Sequence, residues 1–300
     1  MIFIIRTHCM KIQNLAVISA VLAVGVGSLQ AQTITGNLGT SGVAYGSPLA
    51  VQTINTSFGL SSGGGDATGS ELDAVYGSIS GGSLYLFVAG NFQNNGNHLN
   101  LFLADGRTGQ STLSTTVSPL SAMNGSQFSS GFSATYALDL NDYQGTLYTS
   151  TADLVNNNGG YQGAVTLTGG IGSGTLGDGI SVALNNTHAS TMGASGTALS
   201  GATSGANTTT GLELSIPLSL LGNPTGSIEL LAALNGGGDT YLSNQLLPGL
   251  PVSSGSLGTA TFDFSSTPGE FVTIAPVPEP STMVLGAAGM ATLLRLRRRR

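Results

Sequence analysis

Glycine recurs so often, 46 times in 300 residues, that many turns are favoured over long helices, since each interior glycine costs a helix roughly 0.5–1 kcal/mol relative to alanine. The same frequency suits a chain that turns often. Between the turns stand short apolar or alternating segments bounded by Gly and Asn, at 83–89, 99–104, 132–140, 164–168, 180–184, 211–216, 227–234 and 259–264. That is the pattern of half-buried strands at sandwich spacing. Leu84, Leu86 and Val88 form one aliphatic face and Tyr85 and Phe87 the other, which predicts a central strand covered on both sides. Asn94-Asn95-Gly96-Asn97 offers positive-φ positions for a hairpin, predicting that 83–89 and 99–104 pair antiparallel. Segments 61–69, 156–160 and 193–210 read as loops, and 217–221 as one helical turn, with Pro217 at its start and Gly222 at its end. The predicted fold is all-β, an antiparallel two-sheet β-sandwich, jelly-roll-like. A signal helix flanks it at the N-terminus and a short transmembrane helix at the C-terminus.

Charge is segregated. Arg6 and Lys11 precede the folding region and five arginines end the chain, leaving Arg107 as the only base from Gln32 to Pro276, against 13 carboxylates, the chain's 14 less Glu279. A body carrying twelve net negative charges has no basic surface with which to release phosphate counterions, so nucleic acid is excluded as a partner. The one cysteine, Cys9, lies in the leader. Disulfides, thiolate metal sites and cysteine nucleophiles are thereby excluded from the body, and stability has to come from packing and strand pairing.

The two ends read as addresses. Met-Lys-Ile-Gln-Asn from Met10, an apolar run over 15–29 and Gln30-Ala31-Gln32 have the three zones of a secretory signal, with signal-peptidase cleavage expected between Ala31 and Gln32. At the other end come Val277-Pro278-Glu279-Pro280, an uncharged segment 282–294 and a basic cluster of Arg295, Arg297, Arg298, Arg299 and Arg300. As a helix the uncharged segment is roughly 20 Å long, short for a hydrocarbon core of about 30 Å, which predicts a transient inner-membrane anchor with the arginines held on the cytoplasmic side. The expected organisation is therefore a signal peptide (1–31), a β-sandwich ectodomain (32–275) and a tail (276–300).

This tail resembles the PEP-CTERM sorting signal, in which Pro-Glu-Pro, a short apolar helix and a terminal basic cluster occur in that order. The resemblance implies processing by an exosortase-type protease and release to the cell surface or exopolysaccharide matrix of a Gram-negative bacterium. In the body, the segments 69–76, 211–218 and 243–250, with the Leu-Tyr strand at Leu84 and Leu221-Gly222, resemble DOMON and family-nine carbohydrate-binding-module sandwiches. The chain departs from both. It has no Trp for the aromatic grip of the binding modules, and no clear Met and His pair for the axial ligands of DOMON haem.

Candidate chemistry is sparse. Asp66, Glu71 and Asp73 place oxygen ligands two to five residues apart beside flexible glycine, an arrangement that would suit Ca²⁺, with turn capping and a solvent-facing carboxylate as the alternative; no other cofactor is expected. His98 and His188 have no metal-ligand spacing and read as solvated loop residues. No Gly-x-Ser-x-Gly elbow is present for a serine nucleophile. Arg107, in Asp105-Gly106-Arg107, is expected in a strand-ending turn, paired with a neighbouring acid. The functional expectation is a non-enzymatic surface or matrix protein. The alternative is a carbohydrate-binding module of the matrix, with Tyr45, Tyr161 or Tyr241 stacking on exopolysaccharide. A further alternative, glycoside hydrolysis, would need Glu213 and Glu229 about 5 to 10 Å apart.

Overall fold

A computed structural model describes residues 32–53, 56, 58, 70–187, 205–250 and 255–277. The expected signal peptide, the tail helix and its arginines, and the loop at 61–69 lie outside the described residues, and no helix among those described is long and apolar enough to cross a membrane. Residues Gln32–Pro276 form one unit. Its strands are β1 (Ala50–Val51), β2 (Glu71–Ser80), β3 (Ser83–Asn91), β4 (Asn95–Ala104), β5 (Tyr136–Tyr143), β6 (Thr146–Asp153), β7 (Asn158–Thr166), β8 (Ile171–Thr175), β9 (Ser181–Asn185), β10 (Gly211–Pro217), β11 (Ile228–Asn235), β12 (Leu242–Leu247) and β13 (Val272–Ile274).

They form two antiparallel sheets, ordered β1-β2-β3-β10-β9-β8 and β12-β11-β4-β5-β6-β7. β13 pairs with Ile228–Leu230 of β11 and β12 with the Ala232 to Asn235 part, so these two short strands share one edge end to end. The all-β, two-sheet expectation holds at this level.

β3 sits between β2 and β10, as its double-sided apolar pattern predicts. Leu84, Leu86 and Val88 face the inter-sheet core, where they join Leu212, Leu214 and Ile216 of β10 and Leu99, Leu101 and Leu103 of β4. On its other side Phe87 packs in a second cluster with Ala74, Tyr76 and Ala89, against Leu38, Tyr45 and Val51 of the N-terminal segment. Each such side chain taken fully out of water contributes about 1.5–3 kcal/mol.

The second sheet is wrapped as well. The segments between β4 and β5 and between β12 and β13 lie over its outer face, where Phe102, Ala104, Ala137, Ala152, Leu231 and Ala233 meet Leu120, Met123, Phe128, Phe132, Phe262 and Phe264. Small alanines on four strands let that cover approach the backbone. The predicted strand at 259–264 does not form; the segment bends at 259–260, makes one isolated bridge at Asp263 and joins the cover with Phe262 and Phe264 stacked at 4.7 Å.

One pairing differs from expectation. β3 and β4 are consecutive but belong to different sheets, so the Asn-rich segment between them is a crossover and no hairpin forms there. Both edges of β3 are already taken by β2 and β10, and β4 pairs with β11 and β5. The turn at 217–221 forms as a 3-10 helix, Leu218–Leu221, closed by Gly222 in the left-handed region at φ 73°. A second departure is β2, which continues through a bulge between Leu72 and Ala74.

The folded unit begins and ends at one place. The Gln32 backbone N–H donates to the Tyr85 hydroxyl and its side-chain amide to Ser80, both at 3.1 Å, while Pro276 bridges Ile79.

Candidate functional site

Alternation along β4 sends Leu99, Leu101 and Leu103 into the core and leaves His98 and Asn100 on the outer face of the second sheet. β5 does the same with Leu138 and Leu140 against Asp139 and Asn141. In register, Asn235, His98, Asn141 and Tyr148 form one row across β11, β4, β5 and β6. Ala233, Asn100, Asp139, Ser150 and Tyr161 form the next, reaching β7. The rows are polar at their centre and aromatic at one end.

The centre is closed by the turn after β11. Asn235 accepts the N–H groups of Gly236 and Tyr241 at 2.9 Å each, which folds the chain back over β4. Gly238 and Asp239 then take left-handed conformations at φ 71° and 57°. The result brings together residues far apart in sequence. His98 Nδ1 lies 2.8 Å from Asp139 Oδ2 and 3.8 Å from Asp239 Oδ1. The Asn100 amide nitrogen donates to both carboxylates, at 2.9 Å to Asp139 and 3.0 Å to Asp239. The Gly238 N–H donates to His98 Nε2 at 3.2 Å. All four side chains are buried, Asn100 and Asp239 completely.

Burial and the neighbouring charge of Asp139 push the Asp239 carboxyl well above the usual carboxylate range. Burial opposes charge on His98, but its hydrogen bond to Asp139 and the two carboxylates outweigh it, raising the imidazole above its ordinary value. Both ring nitrogens are engaged, by a carboxylate and a backbone amide, and among the described residues neither meets a serine hydroxyl. His98 was expected in a solvated loop; it is a buried strand residue, because the turn carrying Gly238 and Asp239 closes over the polar half of this face.

The other expected site residues are dispersed. Glu71 and Asp73 are buried in β2 and do not face solvent, the Asp73 carboxylate accepting the Thr208 hydroxyl at 2.9 Å; Asp66 lies outside the described residues, as does His188. Glu213 and Glu229 stand in different sheets, on β10 and β11. Glu213 is fully buried. One of its oxygens accepts the Thr35 and Gly36 N–H groups at 2.6 and 2.9 Å, the other the Ser41 and Tyr45 hydroxyls at 2.5 and 3.0 Å. It acts as a clamp for the N-terminal segment.

Tyr45 therefore has its hydroxyl on Glu213 and its ring against Tyr76 and Phe87. Tyr241 stacks on Phe58 at 5.9 Å with its outer side exposed. Tyr161, 61% exposed, lies 6.4 Å from the exposed Tyr148, a neighbour that the sequence reading did not single out. Arg107 pairs with Asp105 as expected, Nη2 to Oδ2 at 2.6 Å and Nε to both oxygens at 3.0 Å, in the turn that ends β4. Gln32 is docked on the sheet as described above, and Val277 is exposed; Ala31 and residues 278–300 lie outside the described residues.

Residues 276–300 match the PEP-CTERM protein-sorting motif. No curated protein and no solved structure matches the chain. The DOMON and family-nine resemblance thus rests on the sequence motifs alone.

Proposed function

We propose that this chain is an exported surface protein. It is led out by a signal peptide, held briefly in the inner membrane by its tail, cut by an exosortase-type protease and left at the cell surface or in the exopolysaccharide matrix as a non-enzymatic β-sandwich. The sorting motif at 276–300 carries this reading. The fold supports it: Gln32 and Pro276, the first and last residues of the sandwich unit, lie together beside Ile79 and Ser80. The acidic body, with Arg107 bound to Asp105, suits a soluble display domain.

The test is the mass of the mature protein from cells with and without the sorting protease. The expected result is loss of residues beyond the Pro-Glu-Pro motif only in cells that have the protease. Protein recovered from the cytosol with both ends intact would refute the reading.

A second reading is supported by the Tyr148 and Tyr161 pair. Two exposed rings beside Asn141, at the open edge of a polar row, match the chemistry of polysaccharide contact, in which aromatic faces stack on sugar C–H groups and amides bond the hydroxyls. Retention on the host's exopolysaccharide that is lost in Tyr148→Ala and Tyr161→Ala would support it; equal retention of the variants would remove it.

A further inference from the structure

The cluster of His98, Asp139, Asp239 and Asn100 is left with two unmet polar atoms. Asp239 Oδ2 and Asn100 Oδ1 have no hydrogen-bond partner among the described residues, although both residues are completely buried. An unpaired buried acceptor costs about 1–3 kcal/mol, and both of these belong to residues of the cluster. One imidazole nitrogen and one oxygen from each carboxylate all lie within 4.8 Å of one another. The amide nitrogen of Asn100 sits 2.9 and 3.0 Å from the two carboxylate oxygens. Turning that amide over would put Oδ1 in the same position, facing both.

We propose that this cluster binds one divalent first-row transition metal ion of the zinc class, with His98 Nδ1, Asp139 and Asp239 as ligands and the reoriented Asn100 Oδ1 as a fourth. Nitrogen plus carboxylate donors select this class over Ca²⁺ and Mg²⁺, which take oxygen alone. Four ligands about 2.0–2.2 Å from a tetrahedral ion stand roughly 3.3–3.6 Å apart, so the atoms now at hydrogen-bond separations of 2.8, 2.9 and 3.0 Å would spread by a few tenths of an ångström to take it, and the pair at 3.8 Å would close slightly. The ion takes the place of the His98 Nδ1 proton, which moves to Nε2 so that the ring stays a neutral imidazole, and the Gly238 N–H, which Nε2 then no longer accepts, turns away. The ion's charge offsets both carboxylates. The role is structural: the ion would fasten the Gly237–Asp239 turn of one strand connection to β4 and β5.

The test uses the secreted protein, stripped with a chelator and then dialysed against zinc, manganese or calcium chloride. One zinc per chain and a higher melting temperature are expected. Cobalt in place of zinc should give the visible bands of a four- or five-coordinate site, with imidazole in the coordination shell. In Asp239→Asn, which keeps the shape of the turn, zinc affinity should fall by more than the ~10–100-fold that loss of an outer contact costs. Because removal of a buried carboxylate also alters stability, His98→Gln is measured in parallel by metal content alone. The proposal is overturned if the stripped protein takes up no zinc, if calcium stabilises it more than zinc does, or if both variants retain wild-type zinc content.

Discussion

Glu213 offers the sharpest test of how this sandwich keeps its outer layer. Its carboxylate accepts four hydrogen bonds, all from residues 35–45, on a strand where it is fully buried. In Glu213→Ala the Thr35 and Gly36 N–H groups lose this acceptor beneath the segment they belong to. Each such group costs about 1–3 kcal/mol, giving about 2–6 kcal/mol, while relief of a buried charge draws the sum toward the lower half. A destabilisation of about 2–4 kcal/mol, or roughly 5–15 °C in Tm for a domain of this size, leaves most of a typical folding free energy intact. The damage should be local first, with the segment over Tyr76 and Phe87 lifting before the sheets part. Urea unfolding gives the global value, and hydrogen exchange at Thr35 and Gly36 the local one. Glu213→Gln should cost only about 1 kcal/mol, because its carbonyl can keep both backbone donors while the amide donates to the Ser41 and Tyr45 hydroxyls. If Glu213→Ala loses less than about 1 kcal/mol and both amides stay protected, the clamp is not what holds the layer.

Asp73 tests the sign of a pH effect: burial, partly offset by the Thr208 hydrogen bond, pushes its carboxyl up to about 7 from an ordinary 3.8. The folded form therefore binds its proton more tightly than the unfolded one, so this group's stabilising contribution is complete below about pH 4 and is lost as pH rises through about 7, by at most ~4 kcal/mol. Asp73→Asn should accordingly be more stable than the parent at pH 8 and nearly equal to it at pH 4, as read from paired urea melts. Phe102 lies under Phe128 and Phe262 at ring separations of 5.1 and 5.9 Å, and Phe102→Ala should cost about 3–5 kcal/mol by denaturant unfolding. Arg107→Ala removes the partner of Asp105, whose side chain is completely buried although the arginine is 29% exposed, and a loss of about 3 kcal/mol is expected from the carboxylate left uncompensated; a fall below about 1 kcal/mol would show that water reaches Asp105 once the arginine is gone.

Much of the sandwich is legible in the sequence because period two is a local signal. β3 shows it with apolar residues on both faces and β10 on one, and both form where the pattern predicts them, as does the turn closed by Gly222. β2 hid its strand because the bulge at Asp73 interrupts the alternation and Gly77 removes a core side chain; there the backbone makes room for Ile274. The mistaken β3 to β4 hairpin has a different cause. Turn chemistry fixes where a chain reverses, while the choice of sheet depends on edges filled by strands more than a hundred residues later, such as β10 and β11. The buried polar cluster was missed for the same reason, though part of its signal was present. His98 and Asn100 alternate with leucines on β4, Asp139 and Asn141 do so on β5, and antiparallel pairing puts both sets on one face. Alternation alone assigns that face to water. It becomes interior because the phenylalanines at 102, 128, 132, 262 and 264 draw two long connections across the sheet, and the turn carrying Asp239 closes over the polar rows beside them. Whatever compensates the carboxylates then has to come from inside the cover. Asp139 and Asp239 are the place where the order of the outer layer and the chemistry of the cluster depend on one another.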